Sequence, residues 1–414
     1  MRVLSSLALL ALAGCQDQSG TIQLGLTTAP GSTLLDGVER LRVTITEPRA
    51  VFETLRTDRG FDLALDVEAT GFPGSLIVEG FDAGDQIVAT GMSPPFAVSA
   101  IDAKIVIYLA APMSIAAAPV VLAPARELSS AAPLTYGAIL AGGRDPTTGA
   151  ALDAVTVYNA YLHVITAGVP LPAPRIGAAL GVGGNDGVYM VGGRDAADAE
   201  TGTLWRFDTT VAPNGAFAVL ADEAGYARAD ERMVPLGIDR FLVTGAPILD
   251  VGSLALISRT ELPSLPPGGA GVVGTDGVPV AVFAGATGIT RFRDNTFGLL
   301  SAEPRADARA VTLPDRTILV AGGTTDAIHV DVVTGELRAL PGFSPVACPD
   351  PEIVATTRHV VMSCGGMTHV YDAASLARLA TIPSGGTSLA ALPNGQVLML
   401  RGSELSLFTP PAPE

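Results

Sequence analysis

Few side chains in this sequence are of the kinds that do covalent or metal chemistry, and their spacing limits what each can do. Two cysteines, Cys348 and Cys364, follow the first fifteen residues. Outside the cytoplasm an even pair favours a disulfide. The chain between them turns near Thr356 to Arg358, which places the two on adjacent strands or diagonally across them. A bridge closing a loop of that size contributes about 3 kcal/mol in the chain-entropy model. Two buried free thiols are the other reading. The four histidines, His163, His329, His359 and His369, show no HExxH or other metal-ligand spacing. Each reads as a structural histidine; His329 and His369 are offset relative to Asp331 and Asp372, which aims them at opposite faces. No GxSxG nucleophile elbow occurs. Two loops that begin Gly-Gly-Arg-Asp carry charge: one holds Arg144 and Asp145, the other Arg194, Asp195, Asp198 and Glu200. Such loops are where partners bind, so these six residues are the candidate binding positions. A plain solvated loop, or a cation held by the acidic trio of the second loop, are the competing readings. No catalytic residue, resident metal or cofactor is expected.

The elements that carry these residues follow from composition. The chain has 414 residues, enough for two or three domains, and is 48% apolar, which excludes general disorder. Aromatics are only 5%, whereas there are 47 glycines and 31 prolines. That mix suits many short strands joined by tight turns. The net charge of −16 makes nucleic acid a poor partner. Lys104 is the sole lysine, in a strand-like run, which leaves little room for lysine-dependent chemistry.

The first fifteen residues read MRVLSSLALLALAGC. Arg2 gives a positive start, Val3 to Leu12 a short apolar run, and Ala13-Gly14 the small residues of a cleavage site. The run is too short to span a bilayer. Leu12-Ala13-Gly14-Cys15 resembles the bacterial lipobox. The resemblance implies that residues 1–14 are removed and that Cys15 is diacylated on its thiol and acylated again on its amine. Several acyl chains hold a protein on a membrane stably, where one alone is marginal. By the family's sorting rule, Gln16 after the cysteine implies the outer membrane. Residues 105–125 lack charge but are broken by Pro112, Pro119 and Pro124, and read as strand, linker, strand.

After a tether at 15–20, strand-like runs occupy Thr21 to Leu26, Leu41 to Thr46, Phe61 to Val67, Ser75 to Phe81, Gln86 to Thr90 and Lys104 to Leu109. Leu41, Val43 and Ile45 alternate onto one face. A small sandwich of immunoglobulin-like or transthyretin-like type over residues 21–112 is the expectation, with the role of a spacer.

From residue 117 a unit recurs. Apolar strands end in small residues and glycine, as in Ile139-Leu140-Ala141-Gly142-Gly143 and Leu319-Val320-Ala321-Gly322-Gly323. The final glycines, Gly143, Gly193, Gly245, Gly285, Gly323, Gly366 and Gly402, lie 50, 52, 40, 38, 43 and 36 residues apart. That is one four-stranded sheet per unit. After the glycines a strand ends in Asp or Asn, such as Asn159, Asp208, Asp294, Asp331 or Asp372, which can bond its own backbone two residues on. The order resembles the Kelch repeat, in which a strand leads into Gly-Gly. It departs from it where single glycines stand in units three, four and seven, and in having Trp205 as the only tryptophan. The resemblance implies an all-β chain whose residues 117–410 form a Kelch-like β-propeller of seven blades. The last unit lacks a strand, and residues 117–124, with Pro119 to Leu122 at their centre, are expected to supply it.

The role so implied is a non-enzymatic binding or scaffolding propeller in the bacterial cell envelope. It is tethered to a membrane by its lipid, faces the periplasm or the outside, and meets a protein or glycan partner. The alternative is a galactose-oxidase-like or other carbohydrate-active propeller enzyme. That family's copper site needs tyrosines, histidines and a cysteine-linked tyrosine, whereas Cys348 and Cys364 fall in the strands of one unit with no further domain to supply a ligand. Sialidase-type Asp boxes are not evident.

Overall fold

A computed structural model describes residues 19–413 other than 59, 62–65, 69–70, 98–102, 209–210, 212–214, 246 and 258–267. The lipobox and Cys15 lie outside the described residues. The fold is all-β. Among the described residues, helical structure is confined to short 3-10 turns, and no helix is long and apolar enough to cross a membrane.

The first part of the chain forms two main sheets that share a core, and a two-stranded one of Pro73–Gly74 with Phe96–Ala97. An antiparallel sheet is ordered Arg49–Leu55, Arg40–Thr46, Leu76–Phe81, Ile87–Met92. A three-stranded sheet sets Ser19–Thr27 between Asp66–Glu68 and Ala103–Tyr108, parallel to the latter. Leu41, Val43 and Ile45 are buried, as their alternation predicts, and meet Val78, Ile105 and Ile107 in one core. Arg49–Leu55 is a strand that hydrophobicity did not reveal. It is a sheet edge with no buried residue, so it carries no buried apolar row.

The rest of the chain folds as seven four-stranded antiparallel sheets, counted among the described residues. Sheet 1 spans Ser130–Leu134 to Val164–Ala167, sheet 2 Ala179–Val182 to Ala216–Asp222, and sheet 3 Met233–Gly237 to Ala255–Ile257. Sheet 4 spans Gly269–Val273 to Thr296–Ser301, sheet 5 Ala308–Thr312 to Leu337–Leu340, and sheet 6 Glu352–Ala355 to Arg378–Ile382. Sheet 7 takes Ser388–Ala391, Val397–Arg401 and Glu404–Thr409 from the end of the chain. The first strand of each sheet lies beside the first strand of the next, and that of sheet 7 lies beside that of sheet 1. The second strands are buried but for single end residues, and Ile318–Gly322 is buried throughout, because sheets cover both of their faces.

The closing strand is not the one expected. Ser114–Ala117 pairs antiparallel with Glu404–Thr409, Ile115 opposite Phe408, and completes sheet 7. The segment 119–122 bends away. Pro119 has no N–H to give a ladder, whereas Ala118 donates its own to the Leu405 carbonyl at 2.9 Å and ends the pairing. Leu122 instead plugs a core shared with Tyr108, Leu140, Tyr158 and Leu407, while Val121 is 81% exposed. The second body thus begins at Ser114 rather than 117.

The two bodies share that core. The Val106 N–H donates to the Tyr161 carbonyl at 2.8 Å, and the Tyr161 hydroxyl donates to the Pro95 carbonyl at 2.6 Å. His163, on the same turn, shares a 2.6 Å hydrogen bond between its Nδ1 and the Tyr158 hydroxyl. Burial lowers the His163 imidazole to about 4.

Two outcomes follow. Ala116→Pro, placed opposite Leu407, should cost about 2–3 kcal/mol by breaking the closing ladder. Val121→Pro should be near neutral; urea unfolding of both variants separates the two possible closures. Second, a histidine held neutral in the fold gives its full stability above its unfolded value of about 6.5. That stability drains as pH falls from there toward 4, by up to about 1.4 kcal/mol per pH unit. His163→Asn should flatten this slope in urea midpoints measured between pH 7 and pH 4.5, with His359, also lowered to about 4 by burial, leaving a residual slope.

Candidate functional site

Because each sheet is an antiparallel meander, the starts of all first strands meet at one end of the ring axis, and the turns into the second strands meet at the other. The two ends differ in chemistry. At the turn end, a cavity of about 370 Å³ is walled by Leu134, Leu313, Pro314, Leu392 and Pro393. The N-terminal body packs at this end: Asn394, in such a turn, donates from Nδ2 to the Met92 carbonyl at 3.1 Å. At the opposite end is a mouth of about 390 Å³ into which Asp230, Glu231, Arg232, Arg309, Asp350 and Glu352 converge.

The mouth is framed by contacts between sheets. Ser130 Oγ donates to the Ala178 carbonyl at 2.6 Å, joining sheets 1 and 2. Ser388 Oγ donates to the Ser129 carbonyl at 3.1 Å, joining sheets 7 and 1. Arg232 reaches from sheet 3 to an ion pair with Glu352 of sheet 6, and Arg309 of sheet 5 pairs with Asp350. Burial raises the pKa of Glu231, against a hydrogen bond from the Thr244 hydroxyl and the nearby Arg228 and Arg309, which lower it. Burial also lowers that of Arg309, and the neighbouring Arg232 adds to the shift.

The Gly-Gly pairs build this end. Gly142 has φ +64°, and a Cβ on it would stand 2.3 Å from the Arg175 carbonyl oxygen. Gly143 donates its N–H to that same oxygen at 2.8 Å, and Gly193 does so to the Arg228 carbonyl at 2.7 Å. The pair therefore lets the entry to the next sheet approach and bonds it there. The repeat is not uniform: a Cβ at Gly365, Gly366 or Gly402 would meet nothing within 4 Å, and these glycines are simply hairpin turns.

The six loop residues singled out from sequence lie after the second strands of sheets 1 and 2, at this end, but none lines the mouth, and their polar atoms are largely spent within the loops. Asp145 Oδ1 accepts from the N–H groups of Thr147 and Thr148, both at 2.8 Å. Asp195 Oδ1 accepts from those of Ala197 at 2.8 Å and Ala199 at 3.0 Å. Arg144 pairs with Glu127 at 2.6 Å, and Arg194 with Glu200 at 3.4 Å and Asp230 at 3.6 Å. Asp198 occupies the turn at φ +63°. The acidic trio therefore does not converge, and among the described residues no three His, Cys, Asp or Glu side chains are grouped to hold a metal ion.

Cys348 and Cys364 are joined in a disulfide, their Cα atoms 5.8 Å apart. Cys364 ends the second strand of sheet 6, but Cys348 lies in the loop entering that sheet, not on a strand. The bridge pins the loop that carries Asp350 into the mouth, and leaves neither sulfur free for a thioether to tyrosine. The histidines form no common site: His329 bonds Thr317 Oγ1 at 2.8 Å, His369 bonds Thr381 Oγ1 at 3.1 Å, and His359 meets Phe408 edge-on.

Sequence reasoning missed four arginines. Arg126, Arg175, Arg228 and Arg305 precede the first strands of sheets 1, 2, 3 and 5 and are all buried. Arg126 donates to Thr156 Oγ1 at 2.8 Å and to the Leu140 carbonyl at 3.2 Å, and burial lowers it to about 10. Arg228 donates to the Thr244 carbonyl at 3.0 Å, and Arg305 to Thr324 Oγ1 at 2.8 Å. Each ties the entry of a sheet to its later strands. The signal was present: each arginine stands 16 or 17 residues before Gly142, Gly192, Gly245 or Gly322.

No protein-family model matches the chain, and no curated protein matches it. The double variant Cys348→Ser with Cys364→Ser should lose about 3 kcal/mol in chemical denaturation. The unmodified protein in reductant should fall by the same amount.

Proposed function

We propose that this chain is a lipid-anchored lipoprotein of the bacterial envelope, that its ring of sheets is a seven-bladed Kelch-like propeller, and that it acts without catalysis by binding a protein or glycan at the axial mouth. The observation that carries this reading is the convergence of charged side chains from sheets 3, 5 and 6 on one cavity. Polar groups grouped in a concave, partly desolvated site are what recognition requires, and the ring end that bears them is the one the N-terminal body leaves uncovered. The cyclic adjacency of first strands and the closing strand support the propeller reading. The lipobox-like Leu12-Ala13-Gly14-Cys15 supports the anchor. An anchor at Cys15 precedes the N-terminal body directly, so the mouth is presented away from the membrane. Gln16 favours the outer membrane.

Two measurements test the reading. Cys15→Ala should abolish incorporation of labelled palmitate and release the protein from membranes. A photoreactive residue at Glu223, exposed after the fourth strand of sheet 2 at the mouth's end of the ring, should give adducts in intact cells. The same residue at Asp315, in a turn at the other end of the ring, should not. Equal adducts from both positions, or none from Glu223, would remove the mouth as the binding face.

A further inference from the structure

The mouth end is strongly acidic. Asp198, Glu200, Glu223, Asp230, Asp307 and Asp350 are exposed on the loops around it. Of the arginines at this end, Arg126, Arg175, Arg228 and Arg305 are buried, and Arg401, at the end of the second strand of sheet 7, is exposed. Arg144 and Arg194 are committed to Glu127 and Glu200, and the exposed Arg232 to Glu352. The chain's one lysine, Lys104, lies in the N-terminal body. A rim of one sign focuses its field into the cleft it surrounds and draws in ligands of the other sign.

Two groups inside the cavity lack full compensation. The Glu231 carboxylate is partly desolvated; Arg228 and Arg309 lie near it, but its hydrogen bond comes from a neutral hydroxyl, that of Thr244. Arg309 is only 8% exposed, and its Nε and Nη1 have no hydrogen-bond partner, Nη2 alone engaging Asp350. Turning that guanidinium toward a ligand breaks no bond of Nε or Nη1, and a buried donor left unpaired is costly until an acceptor arrives. The ligand that suits both groups carries a cation and a neutral acceptor together.

We propose that the mouth binds a basic polypeptide segment, with an arginine or lysine side chain reaching Glu231 and a backbone carbonyl of the same segment accepting from Arg309. This rests on the mouth being the binding face. The cavity, about 390 Å³, has Leu128, Leu180 and Leu389 in its wall to pack the aliphatic stem of such a side chain. An anionic ligand meets the acidic rim, and among the described residues no aromatic ring lines the cavity to stack on a sugar.

The test uses the full-length protein in detergent and a fluorescent, end-blocked peptide of alternating arginine and glycine, followed by anisotropy. Saturable binding that weakens with salt is expected, and the same peptide with glutamate for arginine should not bind. Glu231→Gln should weaken binding about tenfold or more. Asp230→Asn and Asp350→Asn, both at exposed positions, should each weaken it about two- to threefold, with melting temperatures recorded for both because Asp350 pairs with the buried Arg309. Asp315→Asn should change nothing. Absence of saturable binding, or unchanged affinity in all three mouth variants with unaltered melting temperatures, overturns the proposal. Adducts from Glu223 in cells without peptide binding would leave the mouth as the binding face and remove the basic peptide as its ligand. Loss of the Glu223 adducts on adding maltohexaose, without peptide binding, would do the same in favour of a glycan. Failure of both the adducts and the peptide removes the face as well.

Discussion

The pairing of Ser114–Ala117 with Glu404–Thr409 is the contact on which the rest of the molecule depends. Seven sheets strung on one chain could stack in an open row, with the outermost two exposing apolar faces. Here the seventh sheet takes a strand from before the first, and Ser388–Ala391 comes to lie beside Ser130–Leu134. Every sheet then has a neighbour on both sides, and the uncovered end sheets of an open row are avoided. Closure also fixes the N-terminal body. The closing strand follows closely on Ala103–Tyr108, and Tyr108 packs in the same core as Leu398 and Leu407 of the seventh sheet.

Within the ring, the distance between neighbouring sheets is set by bonds from glycine N–H groups to the carbonyls of entering segments. Gly143 to Arg175 and Gly193 to Arg228 are the clearest cases. The same arginines then spend their side chains on the interior of their own sheets, Arg175 lying 4.4 Å over Trp205. One residue thus serves both the junction and the sheet, and a buried guanidinium so surrounded by acceptors is an expensive group made tolerable by its hydrogen bonds. Where the junction is absent, as at Gly365-Gly366, the disulfide from Cys364 to the entering loop ties the same end of the sheet.

Because all first strands begin at one end, the ring has polarity. The turn end is walled by leucine and proline and abuts the N-terminal body. The mouth end collects charged side chains whose ion pairs join sheets remote in sequence, Arg232 with Glu352 above all. Such pairs hold the rim in register and stay partly hydrated. They offer a partner a set of charges already oriented, which favours rapid and selective encounter.

The sequence by itself determined the all-β class, the repeat, the glycine-ended strands and the alternating Leu41, Val43 and Ile45, because periodicity and turn chemistry are local. It also marked the side-chain turns: Asp331 Oδ1 accepts from the N–H groups of Val333 and Thr334, both at 2.9 Å. It did not distinguish glycines that admit a neighbouring sheet from those that merely turn, since both are Gly-Gly in the chain. It marked the charged loops as candidate binding positions beside the reading of a plain solvated loop, and could not show that Asp145 and Asp195 close their own turns. Only the tertiary structure decided which segment closes the ring and which charges meet on the axis. Arg232 and Glu352 stand 120 residues apart, and no local pattern can encode a juxtaposition that exists only once seven sheets have closed around a common axis.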